Sequence, residues 1–351
     1  MPSRRQYRSA RPSPKQRLRY IAVALLATAL LFFGAASAWA AESITLDFVR
    51  HGEAGDNLVI NNEVPGPPLT VDGVQQADSI AHVLAGYGID GIYASAMTRA
   101  QESAAPLSAL LGLPVHDFSG LNEIDAGIFA GLPVNVGDLP IGAALYALAP
   151  FLWTLGLYSV PQLGSSDFDG MAFQDRFGDA VQTIYNADTA GGADNSTDAV
   201  FSHEGSIAIW ALMNVNNPDF SLVLTQVLKT GELLPYTGIV EIQGNPEDGW
   251  NLVSWDGQAV PQDPGLPTEL FVDLRNLITA PQMAAYHIWE ALLTGDNTAI
   301  MNTIQSGFGD VFTATAQFPL AVISDFANAT ADATGLPSEV GQTVAAAVAS
   351  L

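Results

Sequence analysis

The stretch Leu46-Asp47-Phe48-Val49-Arg50-His51-Gly52-Glu53-Ala54-Gly55-Asp56-Asn57 constrains this chain more than any other. Ile44, Leu46 and Phe48 alternate in strand fashion, and the pattern stops at Val49-Arg50-His51-Gly52. A strand therefore ends on an arginine, an imidazole and a glycine. An imidazole is a competent nucleophile only when it is neutral and held in one orientation. An adjacent arginine draws a phosphate oxygen to it and keeps the ring unprotonated. Gly52 lets the backbone approach a ligand closely. The partners of this pair must come from further along the chain.

Charge narrows the classes of function. The first 20 residues carry seven Lys or Arg and no acid, Ile21 to Ala36 is almost wholly apolar, and Ala38-Trp39-Ala40 offers small residues for a peptidase. Residues 1–40 read as an export signal, or as an uncleaved anchor, so the protein is expected to be secreted or associated with the cell envelope. Beyond residue 40 only five Lys and Arg stand against 36 Asp and Glu, a net charge of −31. Nucleic acid is excluded as a partner, and each remaining cation, Arg50, Arg99, Arg176, Lys229 and Arg275, needs a local reason. Arg176, Lys229 and Arg275 fall in no motif and read most simply as surface residues. Cysteine is absent, so an exported chain relies on its core without disulfides.

Along the chain, Thr70 is an N-cap for a helix with Ala77, Ile80, Ala81 and Leu84 at helical spacing, stopped by Gly86 to Gly88. A strand Gly91 to Ala94 ends at Ser95, and a helix follows with Arg99 in its first turn, where free backbone amides and the guanidinium make an anion site. Glu123 sits in a loop among small and apolar residues. Ile141 to Val160 has no charge. It reads as a buried helical hairpin broken at Pro150, or as an apolar lid or a surface that touches membrane or lipid. Residues 173–186 are helical, Asp198 to Phe201 is a strand ending on Ser202-His203-Glu204-Gly205, and 237–255 is a hairpin about Asn245 to Gly249. His82, His116 and His287 have no evident partners and read as surface or packing residues.

Three strand ends thus present Arg50 with His51, Ser95 with Arg99, and His203. In an open α/β sheet, ligands bind outside the carboxyl ends of strands, so these groups can converge. Two arginines and two histidines about one small volume fit a tetrahedral dianion, since a carboxylate needs fewer donors.

The motifs VRHGEAGDN, PLTVDGVQQA, SAMTRAQESA, LNEIDAGIFAG and FSHEG, in that order between Val49 and Gly205, resemble the histidine phosphatase superfamily, which includes phosphoglycerate mutases and many phosphomonoesterases. The resemblance implies a three-layer α/β/α sandwich with a mostly parallel central sheet over residues 41–260. An apolar helical lid is inserted at about 132–175, and a helical C-terminal extension follows over 261–351. It implies His51 as the phosphorylated nucleophile, with Arg50, Arg99 and His203 binding and polarising the phosphoryl group. Asn57 and Gly52 help to hold phosphate, and Glu123 is the proton donor. Glu204, directly after the second histidine, is the alternative donor. Neither a cofactor nor a metal is implied, and the substrate is a small phosphorylated molecule with a possible apolar portion. The competing readings are a mutase and a degenerate lipid-binding module that keeps only the fold.

Overall fold

A computed structural model describes residues 42–55, 60–135, 140–190 and 195–334. The expected export signal and Asn57 lie outside these residues. The period-2 alternation that marks the strands divides the core in two. In β1 (Ile44–Arg50), Ile44, Leu46 and Phe48 enter one apolar cluster and Val49 the other; in β2 (Gly91–Ala94), Tyr93 parts from Ile92 and Ala94. In β4 (Thr197–Ser202), Val200 parts from Ala199 and Phe201 in the same way. Helices α1 (Val71–Leu84) and α2 (Thr98–Leu111) close one cluster through Ala81, Leu84, Ala100, Ala104 and Leu107. The other is closed by α3 (Ile141–Thr154), α4 (Gly170–Thr189) and α5 (Glu204–Asn214), with Trp153, Phe173, Phe177 and Trp210 among its buried rings. The result is the expected three-layer sandwich.

The seven-stranded sheet has the order β3-β2-β4-β1-β5-β6-β7, where β3 is Val115–Asp117, β5 Ile239–Asn245, β6 Gly249–Trp255 and β7 Gln258–Ala259. Strands β3, β2, β4 and β1 are parallel, and β5, β6 and β7 continue the sheet in antiparallel pairs. The β5–β6 pair is the hairpin expected about residues 245–249. Helix α1 starts as its sequence dictates, with Thr70 Oγ1 accepting the Gly73 N–H at 3.0 Å. Helix α6 (Phe220–Thr230), which the sequence reading left unassigned, leads into β5.

The uncharged stretch is not a hairpin. Pro150 lies inside one continuous helix, α3. Proline at this position deprives the Tyr146 carbonyl of its helical partner. Gln162 Nε2 donates to that carbonyl at 3.3 Å, and the helix runs on to Thr154. One side of α3 is buried by Ala149, Pro150 and Trp153, while Ile141, Leu145, Leu148 and Phe151 are exposed.

Past Val260, helices α7 (Leu266–Thr294) and α8 (Asn297–Thr334) pack on each other. Arg275, expected at the surface, is buried: Nη1 donates to Leu212 O at 2.9 Å and Nη2 to Val215 O at 3.0 Å, so α7 satisfies carbonyls at the C-terminal end of α5. Gln282 of α7 donates to Gly156 O at 2.8 Å and accepts from Ser159 N at 3.0 Å, tying the segment after α3 to the same helix. His287 meets Asp175 of α4 at 3.0 Å, and that contact raises its pKa. Removing the guanidinium strands two carbonyls against a buried cavity. Arg275→Ala is therefore expected to lower unfolding free energy by about 2–4 kcal/mol, read as a shift of the urea midpoint at constant slope.

Candidate active site

Strand β1 ends at Arg50, so His51 falls at the carboxyl edge of the sheet. β4 lies beside β1 in parallel register with Arg50 opposite Ser202, which brings His203 to the same edge. β2 lies on the far side of β4 with Ala94 opposite Phe201, and Ser95 and the first turn of α2 follow. Sheet order alone thus assembles Arg50, His51, Ser95, Arg99 and His203. The centroids of the His51 and His203 rings are 5.1 Å apart.

Hydrogen bonds fix the tautomers. His51 Nδ1 lies 2.6 Å from Gly52 O, which can only accept, so Nδ1 carries the proton and Nε2 presents a lone pair. Arg99 Nε–H points to that lone pair at 3.0 Å and to His203 Nδ1 at 3.2 Å. His203 then bears its proton on Nε2, donated to Ser95 Oγ at 2.7 Å. Burial lowers both imidazoles well below the ordinary histidine value, with Arg99 the next largest cause in each case. Both rings are held neutral.

Arg50 is 6% exposed and Arg99 5%. Arg50 Nη1 donates to Leu234 O at 2.5 Å, lies 3.2 Å from Glu204 Oε2 and 3.3 Å from Glu232 Oε1, and its guanidinium carbon is 4.0 Å from the centre of the Tyr236 ring. Arg50 Nε and Arg99 Nη1 are buried without a hydrogen-bond partner among the described residues. Such donors are costly unless something accepts from them. Both arginines line a cavity of about 370 Å³ whose wall also includes His51, Glu123, Glu204 and Tyr236.

Glu123 lines this cavity and also closes the start of α5. Its Oε1 accepts from Ile124 N at 2.9 Å and Ser206 N at 2.8 Å, and Oε2 accepts from Gly205 N at 3.1 Å. A side chain on Gly205 would meet that carboxylate at 2.8 Å, which accounts for glycine there. The loop carrying Glu123 is held by Arg176, which is not a free surface residue. Its Nε and Nη2 grip Asp167 at 2.7 and 2.9 Å, and Nη1 donates to Gly120 O at 2.7 Å and Asn122 O at 3.1 Å. Glu204 accepts from Leu233 N at 2.6 Å, and burial raises its pKa against the opposing pull of Arg50.

Two expectations need correction. Gly52 does not line the cavity: a side chain there would strike Gly73 O at 2.6 Å, so its bareness serves the packing of α1 against the end of β1. His203 is fully buried, with its ring 5.1 Å from that of His51 and its Nδ1 accepting from Arg99 Nε. Amides about the start of α2 are also not free, because Ala96 N donates to Asn122 Oδ1, Met97 N to Ser95 Oγ and Thr98 N to Pro65 O.

Other cavity residues escaped the sequence reading. Tyr146 of α3 donates from its hydroxyl to Ile124 O at 2.8 Å and accepts from Asn62 Nδ2 at 3.0 Å, latching α3 to the residue after Glu123. With Val134 and Ala143 it makes this segment one wall of the cavity. Glu232 and Tyr236 come from the loop after α6, where Gly231 takes a φ of 82° and turns the chain back toward Arg50. The sequence signal for this loop was Gly231 with the Pro235-Tyr236-Thr237-Gly238 turn just ahead of a strand.

Known proteins resemble this chain in sequence and in structure. The chain is 48% identical over 299 residues to the PE-PGRS family protein PE_PGRS11 of Mycobacterium tuberculosis (strain ATCC 25618 / H37Rv), a match covering 82% of this chain and 49% of that one. It is 37% identical over 98 residues to the uncharacterised protein Rv0525 of the same strain, covering 28% of this chain and 48% of the other. The chain thus spans about half the length of the curated relatives it matches. Among solved structures, mycobacterial glucosyl-3-phosphoglycerate phosphatase with inorganic phosphate aligns at a TM-score of 0.45 and 22% identity, over 62% of this chain and 98% of that one. Phosphoglycerate mutase from Bacillus anthracis aligns at 0.45 and 18% identity, over 62% and 94%. Residues 46–218 match the family described as "Histidine phosphatase superfamily (branch 1)". That match runs from the strand that delivers His51 to beyond the helix that follows His203, and it is over residues 46–218 that the chain matches the histidine phosphatase superfamily.

Proposed function

We propose that this protein is a phosphomonoester hydrolase that works through a phosphohistidine on His51. One observation carries the reading: buried guanidinium N–H groups without acceptors among the described residues stand beside an imidazole whose Nε2 lone pair is fixed by the Nδ1 contact to Gly52 O. A phosphoryl dianion supplies the missing acceptors. In the first step Nε2 attacks phosphorus, the N–P bond forms, the P–O ester bond breaks, and the departing alkoxide takes a proton from a carboxylic acid. In the second, that carboxylate removes a proton from water, the hydroxide oxygen bonds to phosphorus, the N–P bond breaks, and orthophosphate leaves. Arg50 and Arg99 stabilise charge on the equatorial oxygens, and the Gly52 carbonyl steadies the imidazolium while it carries phosphorus. His203 and Ser95 orient Arg99.

For the acid, the first reading is Glu123, which lines the cavity, is fixed by three backbone amides, and occupies the family's donor position in LNEIDAG. A second reading is favoured by the burial that raises the pKa of Glu204. A bound dianion would compete for Arg50, removing the partner that now favours the charged form of Glu204.

These roles separate in experiment. His51→Ala is expected to cut release of phosphate from p-nitrophenyl phosphate by at least about three orders of magnitude, and full retention of activity refutes the mechanism. Replacing the true donor by glutamine should lower kcat/KM for an alkyl phosphate by about 10²–10⁴-fold while lowering that for the aryl phosphate far less, because p-nitrophenolate leaves without a proton; the slower hydrolysis of the phosphohistidine is common to both substrates and appears in kcat. The variant of the pair Glu123→Gln and Glu204→Gln that shows this split identifies the donor. Because burial and Arg99 depress the pKa of His51, its neutral form persists as pH falls through 6.5. Once the second ionisation of the substrate, at about 6, is allowed for, kcat/KM should hold through that range and fall only well below it.

A further inference from the structure

The compact unit that begins at Glu42 contains five cationic side chains, and their placement limits what else a substrate can carry. Arg275 is spent on the carbonyls of Leu212 and Val215, and Arg176 on Asp167, Gly120 and Asn122. Lys229 is exposed in the last turn of α6 and does not line the cavity. Arg50 and Arg99 alone among the described residues bring positive charge to the cavity, and three carboxylates, Glu123, Glu204 and Glu232, share its wall. The sequence of 56–59, Asp-Asn-Leu-Val, adds no cation. A phosphoryl dianion therefore takes up both guanidiniums. A second negative group on the alcohol would face carboxylates with nothing to offset them, in a cavity where the local dielectric makes such repulsion count.

Glu232 differs from the other two acids. Glu123 is held by three amides and Glu204 by Leu233 N and Arg50, whereas Glu232 makes one contact to Arg50 with a side chain 36% exposed. Tyr146 and Tyr236 line the same cavity and offer aromatic surface, with Asn61 and Asn62 as neutral polar groups. Carboxylate with aromatic rings is the surround that favours an ammonium group.

We infer that the substrate is a monoester whose alcohol portion bears no negative charge and carries an ammonium group, an aminoalcohol phosphate, with Glu232 as the residue that selects it. This rests on the phosphomonoesterase reading above. The chemistry is unchanged: the ester P–O bond breaks, the aminoalcohol leaves with the donated proton, and water completes the turnover.

The test measures kcat/KM at low ionic strength for phosphoethanolamine and phosphocholine, for glycerol phosphate as a neutral alcohol, and for 3-phosphoglycerate as a carboxylate, with p-nitrophenyl phosphate as the reference. The expected order is ammonium above neutral above carboxylate. Ammonium and carboxylate should differ by about tenfold or more, and the gap should narrow as salt rises. Glu232→Gln should lower the ratio of ammonium to neutral substrate. Both rates come from one enzyme preparation, so any shared effect on Arg50 cancels in that ratio. Equal or better turnover of the neutral or carboxylate substrate overturns the inference, and an unchanged ratio in Glu232→Gln overturns the role of that residue. If p-nitrophenyl phosphate is hydrolysed in a His51-dependent way while the order fails, the phosphatase reading survives and only the substrate class falls. If the reference is not hydrolysed either, both fall.

Discussion

The Nε–H of Arg99, shared between lone pairs of two imidazoles, is the contact on which the candidate site depends. Its direction forces both rings to be neutral, and it can form only where Arg99, His51 and His203 are withdrawn from water. Withdrawing a guanidinium onto uncharged partners is unfavourable, because no carboxylate among the described residues lies within hydrogen-bond reach to answer its charge. The free protein therefore holds strain of an electrostatic kind at this point. An anion that relieves it is bound more tightly for that reason, and it stabilises the folded chain by mass action. The same contact explains why a fully buried His203 matters: by accepting from Arg99 and donating to Ser95, it sets the angle at which the guanidinium meets a ligand.

Several amides at the helix starts nearest the cavity already have acceptors within the protein. Glu123 takes the first free amides of α5, and Asn122, Ser95 and Pro65 take those about the start of α2. On the proposed function, affinity for phosphate then rests largely on side chains, which makes each one harder to replace. Closing α5 with Glu123 brings a second benefit, since it holds the carboxylate against the cavity and leaves Arg176 to keep its loop in register with α4.

Much of this was legible in the sequence, because the signals are local. Strands buried on one face read as alternation, a capping threonine marks α1, and strand ends in a parallel sheet share an edge, so Arg50, His51, Arg99 and His203 were found from their positions at strand ends. Other features depend on partners that no local pattern reveals. Pro150 looked like a break because the compensating donor, Gln162, lies in a different turn of chain. Arg275 and Arg176 looked like surface charges because their acceptors are carbonyls, which every residue has. Gly52 looked like a ligand-facing glycine, yet the close neighbour is the carbonyl of Gly73. Glu232 and Tyr236 went unseen because α6 and its loop carry no family motif.

On the proposed function, a chain so acidic has still to admit a dianion. With five cations against 36 acids beyond residue 40, its long-range field repels phosphate monoesters, and at physiological salt that field fades over about 8 Å. Two buried arginines act inside that distance and in a medium where their attraction is far less screened. Encounter is therefore slowed by the surface while retention is set by the cavity, and the two effects answer to different parts of the substrate. Net charge governs approach, and the phosphoryl group governs capture. A ligand whose remaining atoms offset the charge of its phosphate meets less repulsion on the way in without weakening its hold on Arg50 and Arg99.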